Sequence, residues 1–406
     1  MHFSNISKTK RMKKLVIFGQ LTAYLILLSI SVFGQSKLNV KKEFEFAAQQ
    51  YEGMLKSHSD ISKFPQSTMP DGSPRNMKSD WWCSGFFGGS LWYIYQYNND
   101  SKWKEAAHKW TMAVEKEQYN TRTHDLGFML YCPFGNGYRL TKNTDYKSIM
   151  LTGAKSLATR FDPKVGLIKS WESFKGGYKY PVIIDNMMNL EFLFWAAKES
   201  GNKELYNLSV THADNTMKNH YRPNFSSYHV ILYGENGEVL AKKTHQGAAD
   251  ESAWARGQAW GLYGYTVMYR ETKDKKYLDF ARNIANFYLN NPNLPVDKVP
   301  YWDFSKVGEE RDASAAAICA SALLELSTYG GKDATTYYNS AVKMLESLST
   351  PAYKAELGKN NHFILMHSTG HKPGNSEIDV PLVYADYYYL EGLLRYEALR
   401  TKKKLF

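Results

Sequence analysis

The chain reads as an all-α protein, an (α/α)6 barrel of six inner and six outer helices. Two observations predict this. Two kinds of helix alternate strictly along the sequence, and most of the buried kind open at or beside an acidic residue. Alternating exposed and buried helices can close into a ring; a solenoid of helix pairs is the structural alternative.

The outer kind starts at a turn signal and shows Ala at helical spacing on one face, with Lys, Glu and Asn on the other. After Val40 to Leu55 come Asn99-Asp100…Trp103…Ala106, Thr144-Asp145-Tyr146…Ala154, Gly201-Asn202…Tyr206…Ala213, Thr272…Asp274…Tyr277…Ala281 and Lys332-Asp333…Tyr337…Ala341. Each is amphipathic. The inner kind is aromatic and small all round: Gly85 to Tyr97, Asp125 to Tyr138, Asp185 to Glu199, Glu251 to Tyr269, Ala313 to Tyr329 and Val380 to Leu399. If these run parallel, Asp125, Asp185, Asp250, Asp312 and Asp379 gather at one rim as caps.

Before the barrel, Lys8, Lys10, Arg11, Lys13 and Lys14 precede an apolar run from Leu15 to Phe33, closed by Gly34. This predicts a signal peptide at residues 1–34, export to the periplasm or beyond, and a single catalytic domain over 35–406 with no lasting membrane insertion. Without those five basic residues the chain keeps 46 Lys+Arg against 40 Asp+Glu. So mild and dispersed an excess predicts no nucleic-acid partner and suits an anionic small substrate. Cys83, Cys132 and Cys319 lie in helical patterns and predict core thiols; metal-ligand spacing is absent, and no cofactor is expected. The oligomeric state is not legible.

Asp185 stands between Ile184 and Met187. An Asp before an apolar helix is most often a cap, but a carboxyl held between large aliphatics also keeps its proton to higher pH, which a general acid needs. Asp125, in Thr123-His124-Asp125-Leu126-Gly127-Phe128, supplies a second carboxyl to pair with it. Trp82 sits in a run of aromatics and glycines whose rings suit core packing or sugar stacking. The stretch from Thr244 to Gly261 carries His245, Gln246, Arg256 and Trp260. Gly257, Gly261 and Gly264 each cost about 1 kcal/mol relative to Ala, which predicts close approach of a neighbouring inner helix. Buried in such a helix, Arg256 pairs with Asp185 or Asp125, or else grips a substrate carboxylate.

Trp82-Cys-Ser-Gly-Phe, His124-Asp125-Leu-Gly-Phe, Asp185-Asn-Met-Met-Asn, Thr244-His-Gln-Gly and Trp254-Ala-Arg-Gly-Gln-Ala-Trp260 occur in this order. Together they resemble the unsaturated glucuronyl hydrolases, glycoside hydrolase family 88, over nearly the whole mature chain. The resemblance implies an (α/α)6 barrel that removes a 4,5-unsaturated uronic acid from the non-reducing end of lyase-generated oligosaccharides, by hydrating the C4=C5 double bond. It implies Asp185 as general acid/base and Asp125 as its partner. Trp82 and Trp260 resemble the stacking residues, and His229, His245, Gln246 and Arg256 those that hold the uronate, with Trp171 as a pocket wall.

The loop His367 to Ser376 matches the region where family members meet the next sugar, which implies Ser368, His371 and Lys372 as contacts. It departs from a Ser-x-x-Ser-x-Lys arrangement associated with sulfated chondroitin-type substrates. Two other readings compete: the related unsaturated rhamnogalacturonyl hydrolase, and a carbohydrate-binding helical protein without catalysis.

Overall fold

Outer helices begin where a short polar side chain satisfies their free N–H groups. Asn39, Asp100, Asn143, Asn202 and Asp274 each accept a backbone N–H from two or three residues on. They cap α1 (Val40–Ser57), α3 (Ser101–Met112), α5 (Thr144–Ala158), α7 (Lys203–Asn219) and α9 (Lys275–Leu289). The sixth outer helix, α11 (Ala334–Leu348), follows Asp333 without such a bond.

Between them run the inner elements, α2 (Gly85–Asn98), α4 (Asn136–Thr141), α6 (Leu190–Ser200), α8 (Ala255–Thr272), α10 (Ala313–Ser327) and α12 (Val383–Arg400), of which α8, α10 and α12 are buried on nearly every side and the short α4 only at Asn136 and Gly137. In this computed structural model, which describes residues 38–405, α12 packs against both α10 and α2. That contact closes the ring and rules out the solenoid. The expected signal peptide at residues 1–34 lies outside the described residues. From Asn39 onward the chain is one compact unit, and no described helix is long and apolar enough to cross a membrane. All three cysteines are free and buried.

Two inner helices begin differently from the uniform helices expected. A π-helix, Gly127–Gly135, leads into α4, and a 3-10 segment, Ile184–Asn189, leads into α6. Close approach explains the glycines. A Cβ on Gly85 would lie 2.2 Å from the Phe128 carbonyl oxygen, and one on Gly264 would lie 2.5 Å from Met187 Cβ. Gly257 likewise leaves room for Ile184. The residues flanking Asp185 are therefore seated in a groove of α8.

Of the five expected acidic caps, only Asp312 caps a helix, accepting the Ser314 and Ala315 N–H groups at 3.1 and 3.4 Å. Asp185 lies inside the 3-10 segment, and Asp125 precedes the π-helix, accepting the Thr123 hydroxyl at 2.9 Å. Asp250 accepts the Thr244 N–H at 2.9 Å in a turn before α8. Asp379 sits at φ 54° beside His367.

Short strands were not anticipated. β1 (Phe64–Thr68) pairs with β2 (Pro74–Met77), and β3 (Phe161–Asp162) with β4 (Leu167–Ile168). A third sheet, in the order β5-β6-β7, joins Tyr180–Ile183, Val230–Tyr233 and Val239–Lys243. This sheet positions the site: β5 runs into Asp185, His229 precedes β6, and His245 follows β7.

Candidate active site

Backbone bonds bring Asp185 and His229 together. The Ile184 N–H donates to the His229 carbonyl at 3.0 Å, and the Ile183 N–H to Ser170 Oγ at 3.0 Å. His229 Nδ1 accepts the N–H groups of His245 and Gln246, at 3.1 and 3.0 Å. An imidazole nitrogen that accepts carries no hydrogen, so in the neutral ring the proton is on Nε2. Nε2 faces Asp185 Oδ2 at 3.6 Å. Burial holds the His229 pKa well below its ordinary value, with the charges of His245 and Arg256 adding to the effect.

The Asp185 side chain is 13% exposed. Burial pushes its carboxyl up to about 7; the Arg256 guanidinium draws it down and the Asp125 carboxylate pushes it up. The Trp260 indole N–H also favours the charged form, although it stops short of a formed hydrogen bond. Near neutral pH this carboxyl exists in both protonation states, which is the condition for donating a proton and taking one back.

Arg256 departs from the ion pair expected of it. Its guanidinium pairs with Asp312 at 3.0 Å rather than with Asp185 or Asp125, and donates to the Thr369 and Gly370 carbonyls at 2.6 and 2.7 Å. Buried among these partners, it lies over the Trp254 ring at 4.5 Å. It thus ties α8 and α10 to the 368–371 loop and acts on Asp185 as a nearby positive charge.

Gln246 Nε2 donates to the same Gly370 carbonyl at 3.0 Å, and His371 Nε2 to the His245 carbonyl at 3.0 Å. The His245 and His371 rings meet at 4.3 Å, and burial holds His245 down at about 4. Trp171 packs edge-on to His245 at 5.2 Å and stacks with Phe174 at 6.0 Å. Asp185, His229, His245, Gln246, Arg256 and Trp171 therefore lie in one contiguous region.

Trp260 is fully buried between Phe128 and Tyr388, so it is a wall rather than an open stacking platform. Trp82 is half-buried against Tyr384 at 4.8 Å and Phe128 at 5.6 Å. Ser368 pairs through its backbone with Val380 and is buried, with no partner for Oγ. Lys372 is committed elsewhere: its ammonium bonds Glu309 at 2.7 Å and Glu310, and lies over Trp302.

Sequence reasoning missed Asp312 as the Arg256 partner, together with Tyr384 and Trp254. Tyr384 is 1% exposed, its hydroxyl has no partner, and the Arg256 guanidinium lies 5.4 Å from its ring. Nothing in the spacing of Val383-Tyr384-Ala385 signals this. A cavity of about 1010 Å³ opens among the inner helices, against Tyr131, Glu191, Tyr263, Arg270 and Glu391, and its lining contains none of the residues named above as site candidates.

A ring of helix pairs with a proton-bearing carboxyl at the inner helix starts, walled by aromatics, defines an (α/α)6-barrel glycoside hydrolase. Residues 56–271 match the model of Glycosyl Hydrolase Family 88. The chain is 43% identical to an unsaturated glucuronyl hydrolase of Formosa agariphila, over 96% of this chain and all of that protein. An unsaturated chondroitin disaccharide hydrolase of Streptococcus agalactiae is 34% identical, covering 90% and 94%. A crystal structure of an unsaturated glucuronyl hydrolase specific for heparin superposes with a TM-score of 0.86 at 49% identity, covering 90% of this chain and 98% of that one. The chain belongs to glycoside hydrolase family 88, and it is a hydrolase of the unsaturated glucuronyl type.

Proposed function

We propose that Asp185 protonates C4 of a 4,5-unsaturated uronate at the non-reducing end of a lyase-generated oligosaccharide. Positive charge then builds at C5 and the ring oxygen, and the deprotonated Asp185 takes a proton from the water that adds at C5. The resulting hemiketal opens and releases the remaining saccharide. Asp125 holds the second carboxyl position, His229 and Gln246 contact the sugar, and Trp171 and Trp82 bound it. The reading rests on one observation: the Asp185 carboxyl, buried beside His229 Nε2, has its pKa raised to about 7.

Ordinary glycosidases act at the anomeric carbon and cleave saturated sugars. The test is incubation with an unsaturated disaccharide and its saturated counterpart. Loss of the ultraviolet absorbance of the conjugated uronate, with the saturated sugar untouched, supports hydration; cleavage of the saturated sugar refutes it. A carbohydrate binder without catalysis would leave both unchanged.

The parent polymer in this reading is a glycosaminoglycan of the heparin type. The likeness to the heparin-specific enzyme supports it. A panel of unsaturated heparin and chondroitin disaccharides, with and without sulfate, tests it; faster turnover of the chondroitin set would overturn it. The proposal includes export through the N-terminal segment and a single catalytic domain, checked by locating the mature protein in cell fractions.

A further inference from the structure

Tyr384 lies in the first turn of α12, fully buried, and its hydroxyl has no hydrogen-bond partner among the described residues. A buried hydroxyl left unpaired is costly, so native folds pair nearly all of them. Asp185 Oδ2, His229 Nε2, Trp260 Nε1 and Ser368 Oγ are buried and unpaired in the same way, and all four belong to the site described above. Groups that share this condition around one site are the ones a bound substrate pairs. The Tyr384 ring lies 4.8 Å from the half-buried Trp82, 5.9 Å from Phe86 and 5.4 Å from the Arg256 guanidinium. That guanidinium is already committed: Nη1 donates to Asp312 and the Thr369 carbonyl, and Nη2 to the Gly370 carbonyl. A substrate carboxylate arriving beside it therefore needs another donor.

We propose that the Tyr384 hydroxyl donates a hydrogen bond to the carboxylate of the unsaturated uronate, which makes Tyr384 a further substrate-binding residue. The inference rests on the reading of the substrate as a 4,5-unsaturated uronate. Burial holds the Tyr384 hydroxyl well above its ordinary pKa; Arg256 pulls it down, while Glu377 and Asp312 push it further up. The phenol therefore keeps its hydrogen and stays a donor, and a donor facing an ionised acceptor makes a stronger bond than one facing a neutral group. The acid group is carried on C5, the neighbour of the carbon that is protonated. Holding it restricts how the double bond lies against Asp185.

The experiment is steady-state kinetics of wild type and Tyr384→Phe on an unsaturated disaccharide and on its uronate methyl ester, which keeps the conjugated bond but carries no charge. Where the ester turns over slowly, its inhibition constant against the acid replaces KM. The substitution removes one oxygen and leaves the ring. With the acid, KM rises about tenfold or more while kcat falls less; with the ester, the change stays within about threefold. Because the lost hydroxyl is unpaired in the free protein, the variant melts at or above the wild-type temperature without ligand. An unchanged KM for the acid, or an equal rise for acid and ester, overturns the proposal. So does a melting temperature several degrees lower, which would show the hydroxyl paired within the protein. Cleavage of the saturated disaccharide by the wild type is a different failure, that of the reading of the substrate.

Discussion

Asn189 Oδ1 accepts the Gly127 N–H at 2.8 Å. This bond fastens the 3-10 segment carrying Asp185 to the first turn of the π-helix that follows Asp125. A Cβ on Gly127 would lie 2.6 Å from the same oxygen, so the approach requires glycine. Asn189→Leu keeps the volume but leaves a buried N–H unpaired, at a cost of about 1–3 kcal/mol. We expect a lower melting temperature and a fall in kcat of about tenfold or more, since a small misplacement of a reacting group is expensive. Steady-state kinetics beside thermal melting checks both.

Arg256 and Asp312 form a buried ion pair with each side chain at most 1% exposed. Removing the cation alone, as in Arg256→Met, strands a carboxylate and costs about 3–5 kcal/mol, measured by denaturant unfolding. Arg256 also draws the Asp185 pKa down, so its loss moves the alkaline limb of kcat/KM to higher pH in whatever activity remains.

Two buried carboxyls give the fold a pH signature. Asp185 and Asp386 both rise from 3.8 to about 7, chiefly through burial. Each binds its proton more tightly in the folded chain than in the unfolded one. Their stabilising contribution is therefore full below about pH 4 and is lost as pH rises through about 7. Asp185→Asn removes one of these groups, so the variant should melt a few degrees above wild type at pH 8 and close to it at pH 4. Differential scanning calorimetry at the two pH values tests this.

Much of the molecule was legible from local chemistry. Asn or Asp at five of the six outer helix starts became real caps because a cap needs only its own next two or three residues. Gly257, Gly261 and Gly264 marked a close contact because glycine at that spacing has a known cost. What the sequence hid depends on residues far apart. Val230–Tyr233 becomes a strand only by pairing with Tyr180–Ile183, and Arg256 finds Asp312 at the start of the next inner helix rather than Asp185 or Asp125. The same distance effect turned four of the five expected caps into turn and site residues.

Lys372 is held by Glu309 and Glu310 on the loop before α10. Bonding to Lys372 also keeps Glu309 ionised, at about 2. Glu309→Gln with Glu310→Gln frees the ammonium for an anion. The double variant should lower KM for a sulfated unsaturated disaccharide several-fold while leaving the unsulfated one unchanged.

The central claim is that Asp185 delivers a proton to the substrate double bond. The most direct measurement is turnover by Asp185→Asn, followed by ultraviolet absorbance, with substrate binding measured separately by calorimetry. The account predicts a folded protein that binds with near-native affinity and turns over slower by about a hundredfold to ten-thousandfold. A near-native rate in that variant would contradict it.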